Sequence, residues 1–440
     1  MKDKIIKLSV ALIFITSILM PQNILADNVI STENNVEENI QEDIFKDISA
    51  PNLLLAETNT GKILYERNAD EKIYPASLTK LMTSILVVEN CELDEIVTVS
   101  EKAVTSVPSG YVNANLQVGE ELTVEDLLYV MLIPSANDAA NALAEHVGGS
   151  IESFSTMMNS RAKELGCTGS NFTNPSGLHQ EEHYTTTKDL YLIAKQAISN
   201  SLIKKIVGTT NYTLLNTEKY TKTKRTFTTT NYMKIKSLTK YYCDYCIGGK
   251  TGYTGEAKNC VIEFAEKDGI ELTAIVMGES AKVKGQKFLD AKEMFEYVFE
   301  NYENKQIVNK NEKYETVKVN NTTKETRMLD VLYKDDIYIL KEKDNNEEMQ
   351  KNVEYYNLKA PIQKGKEVGK ITYEYEGITY TTELIAAENV EESKTLGNVL
   401  KLLIVAFIIY IIYILKKSKN NRGNHGKKYK NKKRKKYNKY

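Results

Sequence analysis

An apolar run at residues 399–415, broken only by Lys401 and two tyrosines and followed at once by Lys416, Lys417 and Lys419, constrains this chain most. As a helix, about 17 residues at about 1.5 Å each reach roughly 26 Å, enough to cross a bilayer with Lys401 snorkelling at the outer face. The basic flank then belongs in the cytoplasm and everything before the run outside it. The N-terminus agrees with export. Lys2, Lys4 and Lys7 flank or interrupt the approach to an apolar stretch at residues 5–20, and Pro21 and "ILAD" follow, the layout of a signal peptide cleaved after Ala26. A retained signal anchor is the alternative. The formal net charge of -1 conceals an acidic segment at residues 27–47 and a lysine-rich tail at 416–440. Such a tail can bind anionic lipid or nucleic acid. No fold or aromatic motif for nucleic-acid readout accompanies it, so no nucleic-acid partner is expected.

Five cysteines, Cys91, Cys167, Cys243, Cys246 and Cys260, are an odd number for an exported chain and do not form a disulfide framework. The C-x-x-C at Cys243 and Cys246 lacks both a redox helix and further zinc ligands, which leaves partly buried thiols or one local disulfide.

Patterning divides the rest. Residues 27–49 read as an acidic spacer, and 52–66 as a hairpin around "NTGK". Leu78, Leu81, Met82, Ile85, Leu86 and Val88 recur at three and four residues, which predicts a helix with one buried stripe. Helical periodicity continues over 124–158, interrupted at "IPSAND" and "VGGS", and returns over 190–198 after the turn formers of "CTGSNFTNPSGL". Residues 260–265 and 272–277 read as a β-hairpin, 288–302 as a last helix, and 312–388 as short strands without helical runs. The expected organisation is a signal peptide at 1–26, a spacer at 27–49, a catalytic domain at 50–304, an all-β domain at 305–390, a linker at 391–398, a membrane span at 399–415 and a basic tail at 416–440.

"PASLTK" places Ser77 and Lys80 one helical turn apart, at the head of the first apolar helix. A lysine held beside a hydroxyl at the buried end of a helix loses its proton readily, and a serine needs such a neighbour to become a nucleophile. Alone, the pair also fits a capping serine and a solvated lysine. "PSAND" adds Ser135 and Asn137 at a helix break, and "GGKTGYT" adds Lys250, Thr251 and Gly252, with glycines that admit close backbone approach. S-x-x-K, S-x-N and K-T-G in that order mark penicillin-binding proteins and class A β-lactamases.

The chain resembles the serine D-alanyl-D-alanine carboxypeptidases of peptidase family S11, the low-molecular-mass penicillin-binding proteins. "TGKILYERNADEKIYPASLTKLMT", "VGEELTVEDLLYVMLIPSANDAANALAEHVGG", "NFTNPSGL", "HYTTTKDLYLIAK" and "IGGKTGYT" carry the resemblance, which runs over roughly residues 50–390. It implies an α/β (α+β) transpeptidase-like fold with an antiparallel sheet between helical layers, and a small C-terminal all-β domain. It implies removal of terminal D-alanine from peptidoglycan stem peptides during cell-wall and cell-shape maintenance, inhibition by β-lactams, and no cofactor. Ser77 is then the nucleophile and Lys80 its base; Ser135 and Lys250 relay a proton to the leaving amine, and Asn137 holds the substrate amide. The backbone N–H groups of Ser77 and Tyr253 form the oxyanion hole, with Thr251 and Gly252 beside the substrate. Lys287 stands where the family usually has an arginine for the substrate carboxylate, and a lysine loses the bidentate fork. Lys258 stands where the family commonly has glycine, which puts the loop after Tyr253 in question.

"HQEEH" matches an inverted zinc-protease pattern, but its flanks argue for a loop rather than the helix such a site needs, and no metal is expected. His146 reads as structural. A class A β-lactamase would need a deacylating glutamate in a Glu-x-x-Leu-Asn setting, and none stands between Asn137 and Lys250. The same motifs also fit a D,D-endopeptidase that uses the same residues, or a non-catalytic β-lactam or muropeptide sensor. A pure binder has no need of a nucleophile together with its base.

Overall fold

The computed structural model describes residues 43–221, 224–280, 283–323, 325–345, 347–393 and 397–417. The expected signal peptide and nearly all of the basic tail lie outside the described residues. Residues 1–46 and 47–440 form separate compact units. Of the first, the described part is a turn in which Lys46 N–H donates to the Asp43 carbonyl at 3.1 Å. Among the described residues, the strands and helices lie in the second unit.

The central sheet is antiparallel and joins distant parts of the chain. Strands β1 (Asn52–Glu57) and β2 (Ile63–Arg67) form the expected hairpin, and β3 (Cys246–Thr254), β4 (Lys258–Lys267) and β5 (Ile270–Glu279) form a meander. Their order is β2-β1-β5-β4-β3, closed by the β1–β5 pairing of Leu54 opposite Ile275. Leu54, Ala56, Ile262, Phe264, Ile275 and Met277 face one core. Their neighbours Leu53, Leu55, Val261 and Val276 point to the opposite face by strand alternation and are equally buried, so both faces are covered.

The first core is shared chiefly with the helices α1 (Lys80–Asn90), α2 (Val124–Leu132), α3 (Asn137–Gly148), α4 (Ile151–Glu164) and α5 (Thr187–Ser199), and the short helices Glu101–Thr105 and Ser201–Val207 add Ala103, Ile203, Ile206 and Val207 to it. Their starts are written in the sequence. The Thr123, Ser150 and Thr186 side chains accept from the N–H groups of Asp126, Ser153 and Asp189 at 3.0, 3.1 and 3.1 Å. Gly149, at φ +74°, ends α3 in the left-handed conformation. Helix α6 (Gln286–Asn301) packs against β4 and β5.

The meander begins earlier in the chain, at Cys246, than hydrophobic patterning suggests. The glycine-rich "CIGGKTGYT" has little intrinsic strand preference, yet after a bulge at Cys246–Gly248 it pairs in continuous register with β4 from Gly248 to Thr254 and becomes the edge strand β3. A short hairpin, Asn211–Leu214 with Arg225–Thr228, is likewise unmarked by hydrophobic alternation. All five cysteines are free thiols, so the local disulfide does not form.

After α6, β6 (Tyr302–Val308) pairs with β9 (Ile337–Glu342). A second antiparallel sheet has the order β7-β8-β12-β11-β10, built from β7 (Lys313–Lys318), β8 (Met328–Tyr333), β10 (Gln350–Tyr355), β11 (Glu367–Tyr375) and β12 (Ile378–Ala386). Leu329, Val331, Ile371 and Leu384 fill its core. Helix α7 (Gly397–Lys417) is apolar, fully exposed and long enough to cross a membrane.

Candidate active site

Ser77 lies in a 3-10 turn, Ala76–Thr79, that runs directly into α1, so Lys80 is the first residue of the α-helix. Ala76 takes φ +47°, a left-handed conformation costly for a residue with a Cβ. The turn is held from outside. Thr79 Oγ1 donates to the Ala76 carbonyl at 2.8 Å and receives His183 Nε2 at 2.9 Å, while His183 Nδ1 accepts the Thr173 N–H at 3.0 Å. These contacts assign the proton to Nε2, and burial holds His183 neutral, its pKa lowered to about 4.

Lys80 is fully buried. Its Nζ stands 2.9 Å from Ser77 Oγ, 2.7 Å from Asn137 Oδ1 and 2.6 Å from the Ser176 carbonyl. Two of these partners can only accept. A neutral amine satisfies both with its two N–H bonds and turns its lone pair to the third, the Ser77 hydroxyl. Desolvation, then the neighbouring Lys250 charge, lower the Lys80 pKa well below its ordinary value, and Asp138 opposes them.

Lys250, in β3, is also buried; its Nζ donates to Ser135 Oγ and the Thr251 carbonyl, both at 2.8 Å. Burial, then Lys287, bring its pKa down to about 7. Ser135 sits between α2 and α3 at φ +73°, and Asn137 opens α3 with its N–H on the Val112 carbonyl at 3.0 Å. The adjacent Asp138 carboxylate accepts from Ala114 N–H at 2.9 Å and Leu116 N–H at 3.1 Å, which ties the 112–116 segment to the helix start. Its pKa is raised by burial against those hydrogen bonds.

Thr251 Oγ1 meets Thr230 Oγ1 at 2.6 Å. Gly252 lies against the Ser77 turn: a Cβ there would stand 3.2 Å from the Pro75 carbonyl and 3.3 Å from Ser77 N. The bare backbone is what lets the edge strand lie beside Ser77. Tyr253, next along β3, is exposed. Lys287 is buried in the first turn of α6, and its Nζ donates to the carbonyls of Cys260 at 3.1 Å and Gly252 at 3.5 Å. Burial lowers its pKa to about 8. Lys287 therefore reaches the site through the backbone of β3 and β4.

The structure thus brings Ser77, Lys80, Ser135, Asn137, Lys250 and Gly252 together from three chain segments. Sequence reasoning missed the Ser176 carbonyl, since every residue has one and only packing selects it. Its signal was "NPSGL". Asn174 Oδ1 accepts from the N–H groups of Ser176 at 3.2 Å and Gly177 at 2.8 Å, and Gly177, at φ +80°, has no room for a Cβ, which would fall 1.8 Å from the Ala76 carbonyl. "HQEEH" forms no helix, and both ring nitrogens of His183 are already engaged. His146 pairs with Glu95 at 3.0 Å.

Residues 36–281 match the family model described as D-alanyl-D-alanine carboxypeptidase, and residues 302–392 match that of the penicillin-binding protein 5 C-terminal domain. A D-alanyl-D-alanine carboxypeptidase of Bacillus subtilis is 34% identical over 79% of this chain and 87% of its own length. Penicillin-binding protein 5 from Haemophilus influenzae superimposes with a TM-score of 0.61 at 27% identity, covering 78% of this chain and 98% of that one. The Streptomyces K15 DD-transpeptidase does so with a TM-score of 0.53 at 32% identity, over 57% and 98%.

Proposed function

Because the chain belongs to the D-alanyl-D-alanine carboxypeptidase family and is a serine hydrolase of that kind, we propose that Ser77, activated by Lys80, releases the terminal D-alanine of peptidoglycan stem peptides through an acyl-serine. The observation that carries this is the fully buried Lys80 amine, held on two obligate acceptors with Ser77 Oγ as its third neighbour.

The steps follow from that geometry. Ser77 Oγ attacks the carbonyl of the D-alanyl-D-alanine bond as its proton passes to Lys80 Nζ. The developing oxyanion lies between the N–H groups of Ser77 and Tyr253, each worth about 3 kcal/mol. Ser135 hands its proton to the departing amine as it takes one from Lys250 Nζ, its hydrogen-bond donor. Asn137 holds the substrate amide, and Thr251 with the Lys250 charge receives the terminal carboxylate. Lys287 adds positive charge from behind the strand. Water then releases the acyl group, whereas a β-lactam acylates Ser77 and leaves slowly.

In our reading, residues 50–304 are the catalytic domain and 305–390 a separate all-β domain. Residues 391–398 are a linker and 399–415 an anchor in the cell membrane, with the catalytic domain outside and the basic tail inside. Residues 1–26 are the signal peptide that exports it.

The test is D-alanine release from a peptide ending in Lys-D-Ala-D-Ala by the full chain in detergent, alongside Ser77→Ala. Release by the wild type alone is the expected result. If neither releases D-alanine while a fluorescent penicillin labels only the wild type, the carboxypeptidase reading fails in favour of an endopeptidase or sensor. Absence of labelling would sink the acyl-serine itself.

A further inference from the structure

We propose a zinc-type metal site at the ends of α1 and α3 remote from Ser77. Cys91 closes α1, Glu95 stands in the turn that follows, and His146 lies in the last turn of α3. One donor atom from each, a thiol sulfur, a carboxylate oxygen and an imidazole nitrogen, lies within 4.8 Å of the other two. His146 Nε2 and Glu95 Oε2 are 3.0 Å apart.

The carboxylate is already oriented. Its other oxygen accepts the Glu92 N–H at 2.6 Å, and the Glu95 backbone carbonyl receives the Val124 N–H at 3.0 Å, so Oε2 is presented towards the imidazole. A thiolate, an imidazole and a carboxylate suit zinc, with a water as fourth ligand, and do not suit magnesium or calcium, which take oxygen donors. Bond lengths of about 2.0–2.3 Å require donor separations of about 3.3–3.6 Å, so closure asks for a movement of about 1 Å. The partly exposed side chains of His146 and Glu95 permit it and leave a path for the ion. On binding, the Cys91 S–H proton goes to water, and the thiolate, neutral imidazole and carboxylate replace three of the ion's waters. No redox change occurs.

The site joins the C-terminal ends of the two helices whose first residues are Lys80 and Asn137, so its metal would brace the frame that sets the reactive amine.

The test titrates the full chain in detergent with Co²⁺, then Zn²⁺. The expected result is a thiolate-to-cobalt charge-transfer band at one equivalent, removed by Zn²⁺ and absent in Cys91→Ser. Glu95→Gln and His146→Ala weaken binding at least about tenfold. Penicillin labelling of Ser77 verifies that each variant folds, and Cys91→Ala replaces Cys91→Ser if the latter does not. Absence of a band overturns the proposal, as does a band that survives loss of Cys91 and disappears in Cys243→Ser/Cys246→Ser.

Discussion

Two lysines buried within reach of one another are unusual enough that their protonation governs what the site can do. Lys80 must be free base to accept the Ser77 proton, and arginine cannot be deprotonated in a protein. Lys80→Arg is therefore expected to fold yet lower the rate of penicillin acylation by about 10²–10⁴-fold, the usual worth of a positioned base, in stopped-flow labelling. Glu263 behaves oppositely on stability. It is fully buried in β4, accepts from Asn231 Nδ2 at 2.8 Å, and burial raises its pKa to about 8 from 4.5. Between those values the folded protein holds a proton that the unfolded chain has lost. The stability Glu263 contributes is thus complete below pH 4.5 and lost as pH rises through 8. Lys250, lowered to about 7, has the opposite slope between about 7 and 10.5, so only a difference measurement isolates Glu263. Melting of Glu263→Gln against wild type should show an advantage that grows by up to about 1.4 kcal/mol per pH unit from about pH 5 to 8, then levels. A flat difference would mean that Glu263 is ionised in the fold.

At the scale of elements, the loop after Tyr253 answers the doubt raised by Lys258. The residue takes φ +58° as the first residue of β4, the conformation that favours the family's glycine, and its Nζ donates to the Gly255 carbonyl at 2.6 Å. The strain is tolerated rather than relieved, and the register Tyr253 opposite Asn259 survives. Lys258→Gly is expected to stabilise by about 0.5 kcal/mol, the left-handed cost less glycine's extra chain entropy, with carboxypeptidase activity unchanged. A lower melting temperature would show that the Lys258 hydrogen bond outweighs the strain. The helices and the β4–β5 hairpin were legible because their periodicity and caps are local. β3 was not, because its strand character comes from pairing with β4 and from packing on the Ser77 turn, neither of which glycine-rich sequence advertises.

Across the molecule, the two sheets meet where Lys62, in the β1–β2 turn, ion-pairs with Glu376, in the β11–β12 turn, and lies about 6 Å from the Tyr302 and Tyr375 rings. Helix α7 stands apart, exposed along its length. A chain ending at Ser393 is expected to leave the membrane fraction and keep the full chain's turnover on a soluble peptide, measured by sedimentation and D-alanine release. Retention in membranes by the shortened chain would place the anchor elsewhere. The order of the three motifs, the helices that begin at Lys80 and Asn137, and the apolar span can all be read from the chain alone, because spacing and hydrophobic period act over a few residues. Three further facts wait on packing: Lys80 is fully buried, the Ser176 carbonyl is one of its two obligate acceptors, and neutral His183 braces the turn. The last two join residues about a hundred positions apart. Desolvation, which sets the lysine's chemistry, belongs to the closed packing around it and to no single segment of chain.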